Sequence, residues 1–225
     1  MRILWLVLTL LLAAPAWAQD WSSITNQQAS QGAKEALVRG AEAAVSALAK
    51  PDGYLGNPSV KIPLPPSLAQ VDQVLGRFGM NKMTDELIVR MNRAAEMAVT
   101  EARPILLDSI RKMSVADIKN VLTGPDDSLT RYFRQSSGQL IAQRFLPKVK
   151  AATAQVQLAD VYNQYAGQAA QFGLVKQEDA NLDQFVTNKA VDGLFFMIAE
   201  QERAIRADPL GQGSRILKTV FGALK

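Results

Sequence analysis

Between residues 182 and 208 the chain is apolar on every side of a helical projection. Gly193-Leu194-Phe195-Phe196-Met197-Ile198-Ala199 contains no polar side chain. Leu182, Val186, Gly193 and Met197 fall on one helical face; Val191, Phe195 and Ile198 fall on another. A helix apolar all round is a buried helix. The run is far shorter than the roughly 20 residues a membrane span requires, and charges bracket it. The pattern predicts a central core helix over 182–208. Asp179 or Asn181 would cap its start, and Pro209, Gly211 and Gly213 would end it.

The other segments read as helices wrapped around that one. Over 28–49, Ala33, Leu37, Gly40, Ala44 and Leu48 recur at helical spacing. Gly32, Ala36, Gly40 and Ala44 form a ridge of small residues that predicts close helix–helix contact, since glycine inside a helix costs about 1 kcal/mol relative to alanine. Lys50-Pro51-Asp52-Gly53 stops this helix. The segment 52–66 holds four prolines, Pro66 the last of them, so it cannot be helical. In it Val60, Ile62 and Leu64 alternate with Lys61 and Pro63. That predicts an extended strap with one apolar side, at best an edge strand, lying over the helices as a connection or a binding edge. A short helix over 68–78 follows, with Ser67 as its cap and Gly79 as its stop. Thr84 or Asp85 starts the next, with Leu87, Met91, Ala94 and Ala98 inward. Pro104 predicts a break or kink between Val99 and Arg103.

Ser114 and Asp117 resemble a capping box for a short helix ending near Leu122. Asp126 and Asp127 then suit the start of another helix, where negative charge is favoured. Leu129, Tyr132, Phe133, Leu140, Ile141 and Phe145 make its core side, and Pro147 marks a kink or a new start. Residues 168–179 form the most polar connection. Ser214 caps a last short helix that docks through Ile216, Leu217, Val220 and Phe221. With no sustained strand pattern, the fold class is all-α, a single-domain helical bundle around 182–208 with a proline-rich strap over about 52–66.

The first residues change the compartment. Met1-Arg2 precedes an apolar run, and Pro15-Ala16-Trp17-Ala18 ends in Ala-x-Ala, the pattern of a secretory signal peptide cleaved after Ala18. No cysteine follows, which excludes a lipoprotein. The remaining chain, 19–225, suits one helical domain in the periplasm, with no transmembrane span after cleavage. The formal net charge is +4, and loss of Arg2 lowers it to about +3, too mild to argue nucleic acid. Histidine and cysteine are both absent. Disulfides, Ser-His-Asp and Cys-His catalysis, ordinary zinc sites and His-ligated haem are excluded. No phosphate loop or nucleophile elbow is present, and no cofactor or metal is called for.

Several runs carry a resemblance. They are Gly32-Ala-Lys-Glu-Ala-Leu37, Asp52-Gly-Tyr-Leu-Gly-Asn-Pro-Ser-Val-Lys-Ile-Pro-Leu-Pro65 and Met91-Asn-Arg-Ala-Ala-Glu96. Thr130-Arg-Tyr-Phe133, Val186-Thr-Asn-Lys-Ala-Val-Asp-Gly-Leu-Phe195 and Ile198-Ala-Glu200 complete the set. Together they resemble a bacterial family known as domain of unknown function 4197. The resemblance implies an exported helical protein of Gram-negative type and brings no catalytic residues.

Two polar constellations are candidate sites. Asn92 sits in the row Ile88, Asn92, Ala95, Val99, with Arg93 beside it and Glu96 four residues on. It reads as a buried hydrogen bond to the strap, or as a polar patch recognising a carbonyl or an anion. Lys61 on the strap is a further candidate binding residue. Glu200 and Glu202 follow the apolar centre of the last long helix. Two carboxylates about 5–10 Å apart can hydrolyse a glycosidic bond, but residues two apart on a helix point in different directions. Arg203 and Arg206 favour ion pairing instead. The leading function is a non-enzymatic binding protein whose partner is an envelope protein or a small apolar ligand. The rivals are a carboxylate-dependent hydrolase of an envelope polymer and a peripheral envelope-associated structural protein.

Overall fold

The computed structural model describes residues 20–77, 82–114, 118–154, 157–171 and 179–224. The expected signal peptide, the capping box at Ser114–Asp117 beyond its first residue, and the stop at Gly79 lie outside them. Among the described residues all regular structure is helical. A 3-10 turn at Trp21–Ser23 precedes α1 (Asn26–Leu48), α2 (Pro66–Gly76), α3 (Lys82–Val99), α4 (Ala102–Lys112) and α5 (Ile118–Leu122). They are followed by α6 (Ser128–Thr153), α7 (Gln157–Gln171), α8 (Leu182–Ala207) and α9 (Arg215–Gly222). Among the described residues no helix is long and apolar enough to cross a membrane.

The expected central helix is α8. Asn181 caps it, its side chain accepting from the Gln184 N–H, while Asp208 and Pro209 end it. α1 and α6 pack on it most extensively, and α3 and α9 also reach it. α4 lies across α1 and α6. One continuous core runs from Ile24 to Phe221 through all of these helices. α1 begins with a full capping box between Thr25 and Gln28. Its small-residue ridge does what the spacing predicts: a Cβ on Gly32 would lie 2.8 Å from Val220 of α9, and one on Gly40 would lie 3.3 Å from Ile198 of α8.

Proline punctuates the chain unevenly. The break before Pro104 is present, with Thr100 and Glu101 turning between α3 and α4. Pro104 then falls in the first turn of α4, where backbone N–H groups have no helical acceptor to lose. Pro66 opens α2, so Ser67 is not a cap but lies inside its first turn; the Leu68 and Ala69 N–H groups both bond to the Pro65 carbonyl. At Pro147 no new helix starts, for α6 continues through it. An internal proline costs about 3 kcal/mol, and complete burial of Ile141, Phe145 and Val149 around it offsets that cost.

Two side chains expected inside are outside. Leu140 is 44% exposed on α6, and Phe196 is 41% exposed on α8. α8 is therefore not buried all round. Lys189, Phe196 and Glu200 are exposed along one stripe, with Asp192 and Arg203 half-buried beside them.

Candidate functional site

The strap is turn-like over 51–60 and extended over 61–65. Its apolar side is buried at Val60, Ile62 and Leu64, as the alternation predicts. A single residue of α3 replaces the missing strand partner. The Asn92 Oδ1 accepts the Ile62 N–H at 2.8 Å, while its Nδ2 donates to the Ile62 carbonyl at 2.9 Å and to the Ile88 carbonyl at 2.8 Å. One turn later Glu96 Oε1 accepts the N–H groups of Tyr54 and Leu55. Its Oε2 takes Arg93 Nη1 at 2.6 Å, and Arg93 Nη2 reaches Asp52 at 2.7 Å. On the other side Tyr54 donates its hydroxyl to the Ala190 carbonyl of α8 at 2.7 Å. Its ring lies so close to Gly193 that a Cβ there would be 2.8 Å away. Burial, and secondly the Glu96 charge, push the Tyr54 hydroxyl far above the ordinary tyrosine range. Asn92, Arg93 and Glu96 thus come together, and they hold the strap.

Glu200 and Glu202 part company. Glu202 is only 3% exposed. Its Oε1 accepts from Leu129 N at 3.1 Å and from Arg206, and its Oε2 accepts from both Thr130 N and Thr130 Oγ1 at 2.7 Å. Asp127, the residue before α6, makes no side-chain cap bond. A carboxylate from α8 therefore caps α6. Arg206 extends the same joint to the Leu122 carbonyl at the end of α5 and to Ser128 Oγ, and lies over the Phe221 ring of α9. Glu200 is exposed and pairs with Arg203.

Between the strap, α6 and the exposed stripe of α8 lies an open groove of about 500 Å³. Ser59, Val60, Lys61 and Pro63 of the strap form one wall. Thr130, Arg131 and Arg134 of α6 form the other. Lys189, Asp192, Gly193, Phe196 and Arg203 of α8 lie between them. Lys61, Arg131, Arg134, Lys189 and Arg203 thus face two acids, Asp127 and Asp192. Arg131 pairs with Asp127 at 2.8 Å, Arg134 with Asp192, and Arg203 with Asp126 and Asp127. Lys61 and Lys189 are exposed and have no acidic partner among the described residues. Arg134 lies over the Phe195 ring, and Phe196 adds exposed apolar surface.

The Lys189 ammonium lies over the Phe185 ring; ammonium groups without acidic partners are suited to attract anions, and an exposed aromatic such as Phe196 to pack against an apolar group. Of the residues expected from sequence it contains Lys61, with Glu200 just outside it. The Arg131, Arg134, Lys189 and Arg203 contributions were missed. The readable signal was Lys189, Phe196 and Arg203, seven residues apart on one face of α8. Among the described residues no group of three or more acidic side chains is placed to hold a metal ion.

Residues 23–222 match a family model described as a protein of unknown function (DUF4197). No curated protein and no solved structure matches the chain.

Proposed function

The chain belongs to the DUF4197 family of proteins of unknown function, and we propose that it is a non-enzymatic binding protein of the periplasm, exported by its first 18 residues. Its ligand is an anionic group joined to an apolar one. The observation that carries this reading is the groove where Lys61 and Lys189, both without acidic partners among the described residues, flank the exposed Phe196. The strap reads as the wall of that groove, fixed in place by Asn92, Glu96 and Tyr54.

A carboxylate-dependent hydrolase is less well supported. Glu202 already accepts five hydrogen bonds from Leu129, Thr130 and Arg206, which leaves its oxygens no free position for proton transfer. Glu200 points to solvent. The small positive charge gives little support to a structural protein held by anionic surfaces.

Titration with anilinonaphthalene sulfonate, a fluorescent anion with an aromatic body, tests the site. Saturable binding to the native chain is expected. Lys61→Glu combined with Lys189→Glu should weaken it by about tenfold or more, with an unchanged circular dichroism spectrum because both side chains are exposed. Equal affinity in the double variant overturns the reading. Amino-terminal sequencing of the cellular protein tests export, with Gln19 as the expected first residue.

A further inference from the structure

We propose that the binding site continues beyond the cationic groove along the seam between α6 and α8, and that its occupant is an extended acidic segment of another polypeptide. This rests on the reading of the groove as an anion-binding site. A second open groove of about 610 Å³ adjoins the first. Gln135 and Gln139 of α6 and Gln184 and Asn188 of α8 line it, and it shares Arg134 and Asp192 with its neighbour. The Arg134–Asp192 ion pair is therefore the boundary between two halves of one channel.

Length decides against a small ligand. From Gln184 to Arg203 the α8 backbone rises about 28 Å, at 1.5 Å per residue. An extended peptide needs about eight residues to span that distance. The chemistry of the two halves then selects the polymer. Side-chain amides both donate and accept hydrogen bonds, which matches the alternating N–H and C=O groups of a peptide backbone. In the cationic half, the exposed Phe196 offers a place to an apolar side chain, and Lys61 and Lys189 stand ready for carboxylates. An anionic lipid has no use for an amide-lined channel in place of a tail site. A glycan carries no branched apolar side chain for Phe196. Arg134 and Asp192 are each about half exposed, so an incoming carboxylate reaches Arg134 from solvent and replaces Asp192 as its partner, which joins the halves.

Calorimetric titration of the exported full-length chain tests this. The probes are a peptide of about eight residues alternating Glu and Leu, its half-length version, polygalacturonate, and phosphatidylglycerol vesicles. The longer peptide should bind about tenfold or more tightly than the half-length one. Gln139→Ala combined with Asn188→Ala should erase that advantage and leave the short peptide's affinity unchanged. Lys61→Glu with Lys189→Glu should weaken both. Equal affinities for the two lengths, or a silent amide variant, overturn the extended site while the anion-binding groove stands. Tighter binding of the glycan or the vesicles overturns the polypeptide occupant. Failure of every anionic probe, the sulfonate dye included, overturns both readings together.

Discussion

Replacing Glu202 by Gln should destabilise this protein by removing a charge from a buried joint. The wild-type carboxylate is buried and receives Leu129 N, Thr130 N, Thr130 Oγ1 and two nitrogens of Arg206, with all five at 3.1 Å or less. A glutamine amide keeps one acceptor oxygen and turns an NH2 toward donors. If the oxygen stays with Thr130, the NH2 faces Leu129 N and the Arg206 guanidinium. If it flips, the start of α6 loses its cap at Thr130. Either way a buried cation or a buried helix end is left without its partner. Breaking a buried pair by removing one member costs about 3–5 kcal/mol. Arg206 is 14% exposed at its side chain, so some water reaches it and the lower half of that range applies, about 3 kcal/mol. Arg206→Met should cost less, about 2 kcal/mol, because Glu202 keeps three of its donors while the Leu122 carbonyl and Ser128 lose one each. The double variant should cost less than the two together, since the orphaned charge disappears. Urea denaturation measures all three. For a chain of this length each kcal/mol moves Tm by about 2–4 °C, so Glu202→Gln should melt some 6–12 °C lower. Two single variants that melt like the parent but lose ligand would show that this helix end is a binding site and not a joint.

Further changes test the strap. Ile62→Asp should lower stability by about 3 kcal/mol or more, since Ile62 is almost wholly buried and an unpaired charge would be trapped there; an unchanged urea midpoint would mean that this side faces water. Gly193→Ala gains about 1 kcal/mol of helix propensity but forces a Cβ to within 2.8 Å of the Tyr54 ring and 3.1 Å of Val60, an overpacking that costs about 1–3 kcal/mol, so a net loss is expected in thermal melts. The raised Tyr54 pKa gives a contribution that is complete below the unfolded tyrosine value of about 10 and is lost as pH rises beyond it. Tyr54→Phe should therefore flatten the alkaline limb of the stability curve, and tyrosinate absorbance should appear for Tyr54 only together with unfolding.

The helices were legible because their signals are local. Asn181 and Pro209 bound α8, and Lys50-Pro51-Asp52-Gly53 stops α1, each close to the residues it governs. The strap was legible for the opposite reason, since its prolines exclude a helix and its alternation sorts Val60, Ile62 and Leu64 from Lys61 and Pro63. Asn92 was legible as a polar residue in an apolar row, and it is indeed bonded to the strap. At Pro147 the new start was not found, because the rule for proline in a helix is local, whereas the burial of Phe145 and Val149 that carries α6 through it is tertiary. Glu202 could be foreseen as paired with Arg206 four residues on. Its bonds to Leu129 and Thr130 could not, because those residues lie more than 70 positions away and no helix-start rule looks that far.

The groove was illegible for the same reason, taken further. Lys61, Arg131, Arg134, Lys189 and Arg203 come from three separated segments, and only the Lys189–Phe196–Arg203 spacing on α8 gives a signal within its own. What assembles them is the apolar order around them. Tyr54 against Gly193 seats the strap on α8, the Phe133–Phe195 ring contact at 5.9 Å seats α6 on α8, and a further face of α8 lines this gap. Side chains on that face could be polar without disturbing the core, and they include Lys189, Asp192 and Arg203. Phe196 departs from that polarity. A large aromatic left exposed among charges forgoes burial worth about 1.5–3 kcal/mol, although the same helix has buried positions at Phe195 and Leu194. One exposed aromatic is unremarkable on a surface. In the groove lined also by Val60 and Ala199, on the proposed reading it would supply the apolar contact that charge alone cannot give, and so would make the groove selective among anions.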